Sequence, residues 1–147
     1  MHRIKQNTTW VSSKKIERNW YVFDIKGKNL GRAATEIASL LSGKNDINNV
    51  SNLDQGNFVI ILNSKDYALS SDRKLYTKKY HSHSGYPKGA KDISLAQLKQ
   101  NKPKKVVWKS VYGMLPNNKY RKRYISRLKL MDGASHPYEL QKPQVVN

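Results

Sequence analysis

The chain has no cysteine, which excludes disulfide staples, thiol catalysis and zinc sites built on Cys, and suits a reducing compartment. Acid is also scarce. Ten Asp and Glu stand against 28 Lys and Arg in 147 residues, for a formal net charge of +18 at pH 7. No apolar run approaches the ~20 residues that a membrane-spanning helix needs. The start, Met1-His2-Arg3-Ile4-Lys5-Gln6-Asn7, lacks the apolar centre of a signal peptide. The expectation is a soluble, intracellular protein of one domain over 1–147, long enough to bury a core without staples.

The shortage of acid is concentrated. Residues 93–131 hold eleven Lys or Arg and no Asp or Glu. A single-sign field repels itself, and soluble domains normally interleave both signs, so a polyanionic partner is expected. Within this stretch Pro116 stops one helix, and Asn117 is placed to cap a second over 117–129. At 100° per residue, Tyr120, Tyr124, Ile125 and Leu128 fall on one arc, and Lys119, Lys122, Arg123, Ser126 and Arg127 on the opposite one. One face is expected to pack and the other to be cationic. Arg121 falls within the apolar arc and must snorkel outward or lie at the exposed helix start. A solvated charged face is the ordinary reading of such a run, but the absence of acids to pair with argues against it. An acidic membrane surface would require a strongly apolar face opposite the cations, and Tyr, Ile and Leu match that only in part.

Along the chain, residues 1–19 read as a polar N-terminal arm and 133–147 as a C-terminal tail. Trp20 to Ile25 is aromatic and β-branched, a predicted strand. Over Arg32 to Ser42, Ala33, Ala34, Ile37, Ala38, Leu40 and Leu41 share one continuous arc, which predicts a helix closed by Gly43. After an Asn-rich connection over 44–56, Phe58-Val59-Ile60-Ile61-Leu62 is apolar at every position, the mark of a central parallel strand buried on both faces. Together these make a βαβ unit with an expected right-handed crossover. Further sheet candidates are Tyr67–Leu69, Lys74–Tyr80 and Leu128–Met131. Ser94 caps a predicted short helix, and Pro103 suits the first turn of a helix running to Met114. There Val107, Val111, Met114 and Leu115 form an apolar stripe opposite Lys105 and Lys109, and Gly113 is expected to allow close approach of RNA or of a neighbouring helix.

Two loops invite a functional reading. Gly27-Lys28-Asn29-Leu30-Gly31-Arg32 sits where phosphate-binding loops sit, but it matches neither the GxxxxGK[ST] nor the GxGxxG pattern, so nucleotide hydrolysis is not expected. Arg32 at a helix N-terminus opposes the helix dipole. It is either an indifferent surface residue or one that sits beside a phosphate. In the second loop, Lys78, Lys79, Lys88 and Lys91 supply charge, Gly85 and Gly89 let a backbone come close, and Tyr80, His81, His83 and Tyr86 can stack on unpaired bases or sugars. His81 and His83 without a clear third ligand make a poor zinc centre. Asp72 and Asp92 are joined to them by no catalytic motif.

These segments resemble, in order and over nearly the whole chain, the universal L-thirteen family of large-subunit ribosomal proteins in its bacterial or organellar form. The resemblance is carried by Trp20-Tyr21-Val22 with Leu30-Gly31-Arg32-Ala33-Ala34 and Leu41-Ser42-Gly43-Lys44, and by Gly56-Asn57-Phe58-Val59-Ile60 with Asn63. It continues through Lys79-Tyr80, His83-Ser84-Gly85-Tyr86-Pro87, Gly113-Met114-Leu115-Pro116, Arg127-Leu128-Lys129, His136-Pro137 and Gln141-Lys142-Pro143. Ser70-Ser71, Lys88 and Tyr138 depart from the family pattern. The resemblance implies a three-layer α/β/α fold with a mostly parallel four-stranded sheet, contact with large-subunit rRNA and neighbouring ribosomal proteins, and a role early in subunit assembly. It implies no enzymatic activity, cofactor, metal, membrane or small-molecule substrate, on a cytoplasmic or organellar ribosome. The residues assigned to RNA are Arg32, Lys44, Lys78, Lys79, Tyr80, His81, His83, Gly85, Tyr86, Lys88, Lys91, Lys105, Lys109, Lys119, Lys122, Arg123 and Arg127. The alternative is a translational regulator that binds messenger RNA outside the ribosome.

Overall fold

The computed structural model describes residues 12, 16–47, 49–50 and 52–146, so most of the N-terminal arm lies outside the described residues. The first predicted strand is β1, Trp20–Asp24, and the apolar run is β2, Phe58–Leu62. They pair in parallel, Trp20 opposite Phe58 through Asp24 opposite Leu62. Between them runs helix α1, Leu30–Ser42, which buries the arc read from the sequence and ends at Gly43 in the left-handed conformation. Downstream come α2 (Arg73–Thr77), β3 (Lys79–His83), β4 (Ala90–Ser94), α3 (Leu95–Asn101), α4 (Pro103–Met114) and α5 (Arg121–Ser126). Strands β5 (Leu128–Leu130) and β6 (Gln144–Val146) complete the sheet, in the order β5-β2-β1-β6 with every neighbouring pair parallel.

Central β2 behaves as an uninterrupted apolar run must, with Val59, Ile60 and Ile61 at 0% exposure. Phe23, Ile25, Val59 and Ile61 join Ile37, Leu41, Val107, Val111 and Tyr124 in the main core, on the side covered by α1, α4 and α5. The alternate residues face the other way. Trp20 stacks on Phe58 with centroids 4.3 Å apart, and Tyr138 stacks on Trp20 at 5.3 Å. The segment carrying the 3-10 turn Glu139–Gln141 therefore lies against that second face. Helical segments on both sides of a mostly parallel four-stranded sheet make this the α/β fold that the resemblance implies.

Several local expectations are corrected. Lys74 to Thr77 lies in helix α2 rather than in a strand. β1 and β2 are already flanked by β6 and β5, and of this stretch only Lys79-Tyr80 enter a strand, in a ribbon apart from the main sheet. Tyr67 to Leu69 reduces to a single bridge between Ala68 and Asn29. The helix expected over 117–129 is confined to Arg121–Ser126. Asn117 is not its cap, since Tyr120 holds that position and the Asn118 side chain accepts from the Tyr120 N–H at 3.1 Å. Met114 is 45% exposed instead of core, with its sulfur accepting from the Thr35 hydroxyl. A Cβ at Gly113 would meet nothing within 4 Å, so no helix packs against it in that direction. Ser94 does cap α3, through a complete capping box with Gln97, and Pro103 does open α4.

Gly56 shows how tightly the 44–56 connection is seated. A Cβ there would lie 1.9 Å from the Leu41 carbonyl oxygen and 2.7 Å from Arg127 Nη2. Gly56→Ala is expected to destabilise the protein by about 3 kcal/mol, the upper part of the range for overpacking because backbone is what must move. In urea titration the midpoint should fall while the slope stays constant. An unchanged midpoint would mean that the connection yields freely.

Candidate nucleic-acid interface

Strands β3 and β4 form an antiparallel two-stranded ribbon, Lys79 opposite Ser94 through His83 opposite Ala90. A lone ribbon buries little, and almost every residue from Lys78 to Ile93 is exposed. Its base is anchored by Tyr80, half-buried against the main core, and by the Leu95 N–H on the Lys78 carbonyl at 2.9 Å. At its tip Gly85 adopts φ +85°, a conformation that favours glycine, and its N–H donates to His83 Nδ1 at 2.9 Å. That bond orients the imidazole, and among the described residues Nε2 has no partner. Tyr86 is 75% exposed beside exposed Lys88, and Lys79 and Lys91 extend the charge along the strands.

His81 and Asp92, which no sequence motif connects, are direct cross-strand partners with Nδ1 2.5 Å from Oδ1. Both are open to water, with none of the enclosure that tunes a general base. Tyr80 is half-buried at the base of the ribbon, where it lines a cleft. Lys109 and Lys78 sit 4.7 and 5.7 Å from its ring centroid, and burial raises the pKa of its hydroxyl. It anchors the ribbon, and Tyr86 offers the exposed ring.

Lys78, Tyr80 and Lys109 meet Lys74 and the start of α1 around a cleft of about 330 Å³ with no acid in its lining. The Asn29 side chain caps α1 there by accepting from the Gly31 N–H at 3.1 Å, and Arg32 stands exposed one residue on. Lys44, past the other end of α1, shares a smaller hollow with Met114 and Pro116. The predicted residues described so far thus fall into separate groups, on the ribbon, around the cleft and at the two ends of α1.

Beyond α4, exposed Lys119, Lys122 and Arg123 keep the cationic side assigned to them, opposite buried Tyr124 and half-buried Tyr120 and Ile125. Arg121 lies at the helix start, where its guanidinium covers the Tyr112 ring at 3.9 Å and Nε donates to the Tyr112 carbonyl at 3.0 Å. Arg127 leaves the cationic side altogether. It is 8% exposed and forms a two-pronged ion pair with Asp54, one prong of 2.9 Å and a shorter one from Nη2. The angular sorting fails at this residue because the helix has ended and the chain is turning into β5. Burial would raise the Asp54 pKa, but hydrogen bonding and charge from Arg127 outweigh it and hold the carboxyl below its ordinary value. The one available signal for this pair was Asp54's place, just before a strand buried on both faces.

A second acid also reaches the run from outside. Asp132 pairs with Lys104 at 3.0 Å and with Lys65 at 3.6 Å, and the Lys104 bond holds its carboxyl below the ordinary value. Among the described residues, only Lys104 and Arg127 of the eleven cations in 93–131 have a carboxylate partner. Among the same residues no group of three His, Asp or Glu is placed to hold a metal, and no helix is long and apolar enough to cross a membrane.

Comparison with known proteins gives a single direction. The family model for ribosomal protein L13 matches residues 18–137. The large ribosomal subunit protein uL13 of Wigglesworthia glossinidia brevipalpis is 44% identical over 137 residues, 92% of this chain and 96% of that one. Its counterpart in Citrifermentans bemidjiense is 41% identical over 140 residues, 95% of this chain and 98% of the relative. That of Thermotoga maritima is 39% identical over 141 residues, 96% and 94% respectively. With the parallel sheet, the basic ribbon and the cationic α5 side in place, and with likeness of this extent from end to end, the chain belongs to the ribosomal protein L13 family.

Proposed function

We propose that this chain is a structural constituent of the large ribosomal subunit, on the cytoplasmic ribosome, where its exposed cations neutralise and position rRNA phosphates early in assembly. The family is structural and not enzymatic, and rRNA binding is its general property. The observation that carries the reading is the cationic surface on the ribbon, on α4 and on α5 that, among the described residues and apart from Lys104, no carboxylate pairs, and that a polyanion complements. Neighbouring ribosomal proteins are the further partners. Arg127 is withdrawn from the RNA-contacting set, and Tyr80 serves it indirectly by holding Lys78 and Lys109.

Salt dependence tests the reading. Log affinity for large-subunit rRNA is expected to fall linearly with log salt at a slope of about 0.7–0.9 per phosphate contact, so six contacts cost on the order of a thousandfold between 50 and 200 mM. A flat response would overturn it. Cosedimentation separates this role from regulation through messenger RNA, since a structural constituent stays with the large subunit through high-salt washing and a regulator does not.

A further inference from the structure

Helix α4 buries Val106, Val107 and Val111 and turns Trp108 to the surface. A tryptophan 37% exposed on a helix that carries only positive charge needs a reason. Its ring lies parallel to that of Tyr112, one turn on, with centroids 4.8 Å apart and planes within 9°. Behind this pair the Arg121 guanidinium lies 3.9 Å from the Tyr112 centroid and is tied to the Tyr112 carbonyl by Nε, at 3.0 Å, and by Nη2. Two planar groups this close to one ring cannot overlap on the same side of it. The order is therefore Trp108, Tyr112, Arg121, a three-layer stack whose outer layer is the indole.

We propose that Trp108 is a stacking platform for an unpaired nucleobase of the bound RNA, pre-set by Tyr112 and Arg121, with Lys105 one turn away to meet the backbone phosphate. The proposal rests on the RNA reading above and adds a site of a different kind, one that recognises a base plane and not only charge. Its physical basis is threefold. An indole already held by a neighbouring ring has little rotamer freedom left to lose on binding. Every base presents a π-face, so stacking tolerates any sequence. Lys105 and Lys109, which flank Trp108 on the same helix and have no carboxylate partner among the described residues, favour a flat group carried on a polyanion, as in the unpaired segments through which proteins read RNA, over a cationic partner.

The test uses the full chain with two probes of equal length, a single-stranded oligoadenylate and an RNA duplex, and the variants Trp108→Ala, Trp108→Leu and Trp108→Phe. Trp108→Ala and Trp108→Leu are expected to weaken oligoadenylate binding about tenfold or more, the effect of losing one base–aromatic stack. Duplex affinity and both salt slopes should not change. Trp108→Phe should retain most of the affinity but lose much of the tryptophan fluorescence quenching that oligoadenylate causes in the parent protein. If Trp108→Ala does not fold, the Leu and Phe variants carry the comparison. An equal loss on both probes, or none on either, overturns the platform while steep salt dependence still upholds the RNA reading. Failure of the parent protein to bind either probe overturns both. Unchanged oligoadenylate affinity with reduced incorporation into subunits would assign this face to a protein partner and overturn the proposal.

Discussion

Arg127→Glu is expected to destabilise the protein strongly, whereas reversing Lys119, Lys122 and Arg123 together is expected to leave its stability nearly unchanged and prevent its incorporation into large subunits. The two outcomes differ although the residues are close neighbours in sequence. Arg127 and Asp54 have side chains 9% and 10% exposed, so reversal sets two carboxylates against each other where neither reaches water freely. Removing one partner of a buried pair costs about 3–5 kcal/mol, a large share of the roughly 5–15 kcal/mol that holds a domain together. The melting temperature should fall by on the order of 10 °C. The other three side chains are exposed and have no carboxylate partner among the described residues, so their reversal should change stability by about 0.5 kcal/mol or less. Affinity for rRNA should fall about a hundredfold or more as three cations become anions. A triple variant that assembles as well as the parent would overturn the assignment of the α5 surface. A stable Arg127→Glu protein would overturn the pair.

Acid titration gives a second reading of the same pair. The folded Asp54 carboxyl lies below its ordinary value of 3.8, so the pair's contribution is complete above that pH and is lost as pH falls through the folded value. Asp54→Asn should lack this contribution at neutral pH and lose correspondingly less on acidification.

Ile60→Asp is expected to abolish folding. Ile60 is 0% exposed in the middle of the central strand, between Val22 of β1 and Lys129 of β5. It points away from the main core, to the side where Trp20, Phe58 and Tyr138 stack. A carboxyl there must give up hydration as an anion or be held neutral, and either costs several kcal/mol in addition to the lost packing. Circular dichroism should show no cooperative thermal transition. A soluble variant with the parent's melting temperature would mean that the second face of the sheet is open to water.

Ile60 also shows what a local pattern conveys. An apolar run of five residues has no polar side, so both faces must be covered, and β2 is accordingly central. The same holds for α1, where one arc of Ala, Ile and Leu became the buried side, and for Ser94 and Pro103, whose chemistry places them at helix starts. Residues 117–129 show the limit. Angular sorting was right for Lys122, Arg123 and Tyr124 inside α5 and failed at Arg127, because periodicity locates a side chain only while the helix lasts. Strand β6 was not legible: Gln144–Val146 is three residues long beside a proline, too short to carry a period.

The sequence by itself determined the sign and concentration of charge, the elements of the βαβ unit, the double-sided burial of β2, the basic character of the ribbon and the family. Each of these depends on composition or on residues near one another in the chain. Only the tertiary structure decided which cations are available. It brought Asp54 across 73 positions to Arg127, set Asp132 beside Lys104, laid Lys109 over Tyr80 and packed Arg121 against Tyr112. The physical reason is that an ion pair or a stack depends on separations of a few ångströms, which the path of the chain sets and local periodicity does not record. An acid-free run in sequence is therefore not acid-free in space, and its free cations are those that no distant carboxylate reaches.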